Sequence, residues 1–244
     1  MKCPGQDTKY WKPGAIFEVK CPKCGQFVEF FKDDRTRKCG SCGHRFLNPE
    51  MDFGCASYCQ YAEQCLGNLP PELLAQKEDL LKDRVAVAMK RYFNSDFTRI
   101  GHATKVARYA ERIGRNEGAN LAVVLAAAYL HDIGFPEAID KFGQEAFDHH
   151  EAYGEIVARQ ILEELAAQPA LIDAVCNIIG NHHSLPKDAG PELKSVYDAN
   201  LIANWKASQK SNPVSPEQLT KQIEGQLLTK SGRKEAINIL LPPR

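Results

Sequence analysis

The chain carries no net charge: 31 Lys and Arg balance 31 Asp and Glu across 244 residues. That balance removes the electrostatic case for wholesale nucleic-acid binding and leaves room only for a local basic patch. No apolar run approaches the roughly 18–20 residues of a membrane span. The longest candidate, residues 121–130, runs directly into His131 and Asp132. The opening residues MKCPGQDTKYW have no apolar signal-peptide core, so the expectation is a cytoplasmic protein with no membrane partner. Internal repeats and low-complexity tracts are missing. Strand-type alternation is weak beyond residue 70, which leaves the rest of the chain to helices.

What the chain does have is core and metal-binding chemistry. Hydrophobic content of 43% is enough for a sizeable core. Of nine cysteines, eight lie in the first 65 residues, and of seven histidines only His44 joins them. Thiolates come first and imidazoles later. Gly-Asn-Leu-Pro-Pro at 67–71 is a natural boundary, because paired prolines cannot continue regular structure. Three regions are expected: a β-rich cysteine module at 1–68, a helical domain at 69–208 and a helical extension at 209–244. Short strands are expected at 15–20 and 26–31. Helices are expected at 72–94, from Ser95 or Asp96 as cap, at 121–133 after Asn120, and at 148–166, 169–183, 191–208, 215–229 and 232–240.

In the cysteine module, Cys21-Pro-Lys-Cys24 and Cys39-Gly-Ser-Cys42 make two C-x2-C pairs separated by fourteen residues. Gly25 and Gly43 follow the pairs and relieve the tight turns. Four thiolates at tetrahedral corners suit zinc, whose binding then supplies folding free energy to a module too small for much core. The set is similar to a zinc ribbon. Cys3, Cys55, Cys59 and Cys65 remain, the last three spaced C-x3-C-x5-C. They point to a second centre, either zinc, with His44 as a further ligand, or an iron–sulfur cluster. Tyr10, Trp11, Phe27, Phe30 and Phe31 with Lys9, Lys12, Lys20 and Lys32 form either the module's core or a surface for nucleic acid or protein. Cys176, among Ile172, Val175 and Ile179, reads as a core residue.

In the helical part, His131-Asp132 ends the apolar string AAAYLHDIGF, and His102 lies one helix earlier with Val106, Tyr109 and Ile113. Imidazole and carboxylate together suit metals of borderline hardness. His149-His150 opens a further apolar helix, His182-His183 closes another at IIGNHHS, and Asp198 lies in SVYDANLIANW. Six imidazoles in one helical domain exceed what packing requires.

The order H…HD…H…HH…D over roughly 90–205 resembles the HD-domain metal-dependent phosphohydrolase superfamily. The resemblance implies a mainly α helical bundle, here preceded by the zinc-ribbon-like domain. It implies a minimal metal set of His102, His131, Asp132 and Asp198, with YDANLI similar to the family's D-A-D-x-L ending. HHEAYGEIVA is similar to H-x-x-x-G-x-x-I-A, which selects His150 over His149, and IIGNHH supplies His182 and His183. The cofactors implied are one or two divalent ions of iron, manganese, zinc, cobalt or nickel, with Asp132 as bridge. The function implied is hydrolysis of a phosphate mono- or diester, nucleotide-like or a small metabolite, by a metal-activated water, with His131 and Asp132 at its heart. The GYP continuation of cyclic-dinucleotide phosphodiesterases is absent, and Phe135 stands where many members carry Lys after HDIG. Lys105 and Arg108 are the candidates for phosphate contacts. Two other readings stay open: an HD-fold di-iron oxygenase, and a regulatory or nucleic-acid-binding protein working through the cysteine module. Residues 209–244 read as a cover for the site, a support for the cysteine module or a homodimer contact.

Overall fold

The structure is a computed structural model that describes residues 14–51, 66–67 and 78–241. The chain divides into two compact units, Met1–Lys77 and Glu78–Arg244.

In the first unit, β1 (Ile16–Lys20) pairs antiparallel with β2 (Phe27–Phe31), Ile16 opposite Phe31. β3 (Thr36–Lys38) pairs with β4 (Arg45–Leu47), Thr36 opposite Leu47. The first pair matches the expected strands. The second lay hidden because TRK and RFL are too short to show alternation. Phe30 is fully buried, edge-on to Phe46 at 5.2 Å and stacked on Phe17 at 6.1 Å. Of the aromatic residues open to a surface role, Phe30 is therefore core, whereas Phe27 is exposed. Tyr10, Trp11, Lys9 and Lys12 lie outside the described residues, as do Cys3, Cys55, Cys59 and Cys65.

The second unit is helical: α1 (Glu78–Phe93), α2 (Phe97–Glu117), α3 (Leu121–Leu130), α4 (Phe135–Phe142), α5 (Ala146–Glu164), α6 (Pro169–Ile179), α7 (Pro191–Ser208), α8 (Pro216–Gln226) and α9 (Lys230–Leu240). Residues 123–130 of α3 are all buried, so this helix is apolar all round and is the unit's axis. α2, α1, α6 and α7 pack around it, and α5 packs on α4 and α6. The Asp96 carboxylate caps α2 by accepting from Arg99 N at 3.0 Å, and Asn120 caps α3. α8 and α9 lie in sequence beyond α7, and α9 packs against α2 and α7.

Of the helix boundaries that differ from expectation, two matter for the site. α3 stops at Leu130, so His131 and Asp132 stand in a turn. α6 stops at Ile179, one residue before Gly180, so His182 and His183 stand beyond the helix end. α4 was not among the expected helices; Pro136 occupies its first turn, where its missing N–H costs nothing. Between α3 and α4, Gly134 lies so close to His150 O and Gly154 N that a Cβ would overlap both. Glycine there lets the His131-Asp132 turn close onto α5.

Candidate metal centre

Three buried histidines are set by one local device. The Nδ1 of His131 lies 2.9 Å from Ala128 O, that of His150 2.6 Å from Phe147 O and that of His182 2.7 Å from Ile179 O. Each ring thus donates to the carbonyl three residues earlier. That bond fixes the tautomer and leaves Nε2 as a bare lone pair aimed inward.

The inward target is Asp132, whose two oxygens face different partners. Oδ2 lies 3.2 Å from His131 Nε2 and 3.8 Å from His102 Nε2. Oδ1 lies 3.8 Å from His150 Nε2 and 3.7 Å from His182 Nε2. Two groups of donor atoms share this carboxylate: His102, His131 and Asp132, and then Asp132, His150, His182 and His183, the atoms of each within 4.8 Å of one another.

The polar bookkeeping of the site is incomplete without a cation. His131 Nε2 is fully buried and has no hydrogen-bond partner among the described residues. His150 Nε2 and His182 Nε2 face each other at 3.4 Å, two lone pairs that repel unless something positive lies between them. The ionised Asp132 offers acceptors only. Borderline divalent metals satisfy this donor set of neutral imidazoles around one carboxylate, so the residues fit a metal.

The protonation states agree. Burial holds His102 below its usual value, aided by the nearby His131. Burial likewise lowers His150, and it lowers His183, with His182 and His150 beside it, to about 4. Burial opposes a charge on His131, yet Asp132 outweighs it and raises the group. Burial also opposes the Asp132 charge, but His131 and His182 hold the carboxyl well below its usual range. Neutral rings at His102, His150 and His183 and an ionised Asp132 are forms that bind metals, whereas His131 holds a proton beside Asp132 that a bound cation would displace.

Asp198 does not join this group. Its carboxylate accepts from Leu228 N at 2.9 Å, Thr229 N at 2.9 Å and Thr229 Oγ1 at 2.7 Å. The residue of that segment at the centre is Asn200, whose Oδ1 lies 3.0 Å from His102 Nε2. Successive helical residues turn by about 100°, so positions two apart point to nearly opposite sides and cannot both face one ion. The D-A-N-L string therefore offers its third residue, an amide, where the expected ligand was its first.

Other candidates sort by the same geometry. His149 stacks on Phe142 at 3.8 Å, away from the donor groups that contain His150. Lys105, three residues after His102, sets a positive charge near that ring. Arg108 is six residues on, about 240° around the helix, and lies over Tyr109 at 5.4 Å. It is not a contact of the centre. Arg99 lies one ring removed from it: its guanidinium, paired with Asp96, lies 5.0 Å over the ring of Phe135, which stacks on His150 at 4.2 Å. Glu151 also went unread. Its Oε1 accepts from His183 N at 2.9 Å and lies 3.4 Å from His182 Nδ1. Only its place beside His150 in the sequence could have pointed to it. Cys176 is buried, its Sγ 3.6 Å from Glu155 O. A cavity of about 690 Å³ runs along α6, lined by Leu171, Ala174, Asn177 and Ile178, and contains none of the clustered histidines.

In the first unit, Cys21, Cys24, Cys39 and Cys42 form a third donor group. Two matched turns build it: Gly25 N donates to Cys21 O at 2.8 Å and Gly43 N to Cys39 O at 2.9 Å. Both glycines hold φ near +75° and +73°, which side chains resist. The Sγ atoms of Cys21 and Cys42 are 3.6 Å apart, as are those of Cys24 and Cys39. That is too far for a disulfide and near the roughly 3.8 Å edge of a tetrahedron with 2.3 Å zinc–sulfur bonds. The Cys42 backbone N–H, with that of Ser41, outweighs burial and lowers Cys39 to about 7. Cys24 is pushed up to about 12: the Gln26 N–H favours its thiolate, but its bond to Cys42 and burial outweigh that help. Four thiolates cannot coexist here without a cation. His44 stacks on Phe46.

Residues 99–215, just under half of the chain, match the family model of the HD domain. An HD domain implies divalent-metal binding and metal-dependent hydrolase chemistry in general terms. Among solved structures, the chain is similar to the crystal structure of a predicted HD superfamily hydrolase from an uncultured Thermotogales bacterium. The identity is 21%, the match covers 65% of this chain and 82% of that one, and the TM-score is 0.45. No curated protein matches the chain.

Proposed function

We propose that the HD domain hydrolyses a phosphate mono- or diester, nucleotide-like or a small metabolite, at a centre held by His102, His131, Asp132, His150, His182 and His183. The observation that carries this reading is the Asp132 carboxylate, with one oxygen facing His102 and His131 and the other facing His150 and His182. Divalent ions bound there would activate a water and withdraw charge from a phosphoryl group. The chain's own contribution is to fix those donors before substrate arrives, through the three Nδ1–carbonyl bonds, and so avoid reorganisation during the reaction.

Arg99 supplies the anion contact that a lysine after HDIG would otherwise make. Asp96 and the Phe135 ring hold its guanidinium in place, and a planar fork of donors suits phosphate oxygens. Lys105 adds positive charge on the same helix. In the first unit, Cys21, Cys24, Cys39 and Cys42 hold a structural zinc, a role that suits a closed set of four thiolates.

The test is a hydrolysis screen of the full chain loaded with manganese, cobalt, nickel or iron. Mono- and bis-p-nitrophenyl phosphate and a panel of nucleotides are the substrates, with Asp132→Ala alongside. Metal-dependent release of phosphate or nitrophenol that is lost in Asp132→Ala is expected. Equal activity in the variant, or none with any metal and substrate, would overturn the reading.

A further inference from the structure

The centre described above is short of negative charge, and the shortage lies on one side. Among the described residues, Asp132 is the single carboxylate in either donor group. Two divalent ions around it would leave a net excess of three positive charges, with the Lys105 cation near His102. Asp198, the carboxylate on α7, cannot make up the difference. It is fully buried and spends its oxygens on Leu228 and Thr229.

The two halves meet this shortage unequally. On the His150, His182 and His183 side, Glu151 adds a carboxylate just outside the ring nitrogens, 3.4 Å from His182 Nδ1. On the His102 and His131 side the extra donor is neutral. Asn200 is 4% exposed and presents Oδ1 to His102 Nε2 at 3.0 Å, while Asn204 Nδ2 donates to that same oxygen at 3.2 Å. The second amide orients the first, so oxygen and not nitrogen faces the centre. A separation of 3.0 Å is that of a hydrogen bond, and also that of two adjacent donors on one ion with bonds of about 2.1 Å. Asn200 is thus placed as a ligand but brings no charge. Lys105, on this side, further opposes a cation.

Building on the metal-site reading above, we infer that the two halves fill in order. The Asp132, His150, His182 and His183 half binds a divalent ion by itself. The His102, His131 and Asn200 half takes its ion only together with a phosphate-type anion, which supplies the missing charge and bridges both ions. The dinuclear centre is then assembled by the anion it acts on, and Asn200 is the residue that imposes this dependence. A carboxylate at the same position would remove it.

Equilibrium dialysis of the full-length protein against manganese(II), with and without inorganic phosphate, tests this by elemental analysis of bound metal. Wild type is expected to hold one manganese without phosphate and two with it, phosphate tightening the second site about tenfold or more. Asn200→Asp is expected to hold two without phosphate. His102→Ala is expected to keep the first ion and lose the phosphate-dependent second. The electron paramagnetic resonance spectrum should show spin coupling between two manganese ions only in the doubly loaded samples. Two ions in wild type with phosphate-independent affinity would overturn the inference, as would a single ion in every condition including Asn200→Asp. No manganese bound under any condition would instead overturn the metal-site reading on which it rests.

Discussion

The Asp198 carboxylate accepts two hydrogen bonds from Thr229, one from its backbone N–H at 2.9 Å and one from its hydroxyl at 2.7 Å. Thr229 in turn caps α9 by accepting from Gly232 N at 2.8 Å. The C-terminal helix is therefore anchored on α7 by the residue that the sequence offered as a metal ligand. Asp198→Ala leaves two buried donors of Thr229 and the part-buried Leu228 N–H unmatched and should cost about 3 kcal/mol of stability. Manganese stoichiometry should be unchanged. Urea unfolding with elemental analysis of the same samples checks both.

That exchange of roles shows what could be read in advance. Histidines and the His131-Asp132 pair stand out because imidazoles are scarce and sit at the ends of apolar helices. Asn200 does not stand out, because an amide in a helix carries no mark of metal chemistry, and only the position of His102 across the bundle makes it a donor. Arg99 escapes for a related reason: its place depends on Phe135, 36 residues later, being folded against His150. The helical class and the four-cysteine group were open to inspection because periodicity and spacing are local properties. The exact helix ends were not, since Gly180 and the 131–134 turn are decided by packing.

Arg99→Ala should raise KM for an anionic substrate and lower kcat/KM by about ten- to a hundredfold, the cost of one charged contact. Arg99→Lys should recover only part of this, because an ammonium lacks the planar fork. Arg108→Ala should leave both parameters unchanged. Steady-state kinetics on the substrate found in the screen decides it.

Glu117 gives a pH signature. Hydrogen bonds from the Ser231 hydroxyl and backbone N–H, the latter at 2.9 Å, hold its carboxyl below the ordinary 4.5 despite some burial. The unfolded chain takes up a proton near 4.5 while the folded one keeps the carboxylate. The stabilisation is therefore complete above that pH and is lost as pH falls through the lower, folded value. Glu117→Gln should be less stable than wild type by about 0.5–1 kcal/mol at pH 7, and the gap should narrow below pH 4.5. Urea midpoints across pH 3–7 measure it.

Loss of the zinc proposed for the first unit should act on that unit alone. Cys39→Ser removes one of its four ligands, and a strong chelator removes the ion, whose binding would supply most of the folding free energy of so small a module. Protease sensitivity of residues 14–51 should rise sharply, while the helical signal in far-ultraviolet circular dichroism stays near its wild-type value. A parallel loss of the helical signal would contradict independent folding of the two units.

The central claim is that Asp132 joins two metal positions, and anomalous X-ray diffraction tests it most directly. Crystals of the full chain equilibrated with manganese and phosphate should show two anomalous peaks, one bonded to each Asp132 oxygen, the first beside His102 and His131 and the second beside His150 and His182. Peaks bonded to Asp198, or none at Asp132, would contradict the account.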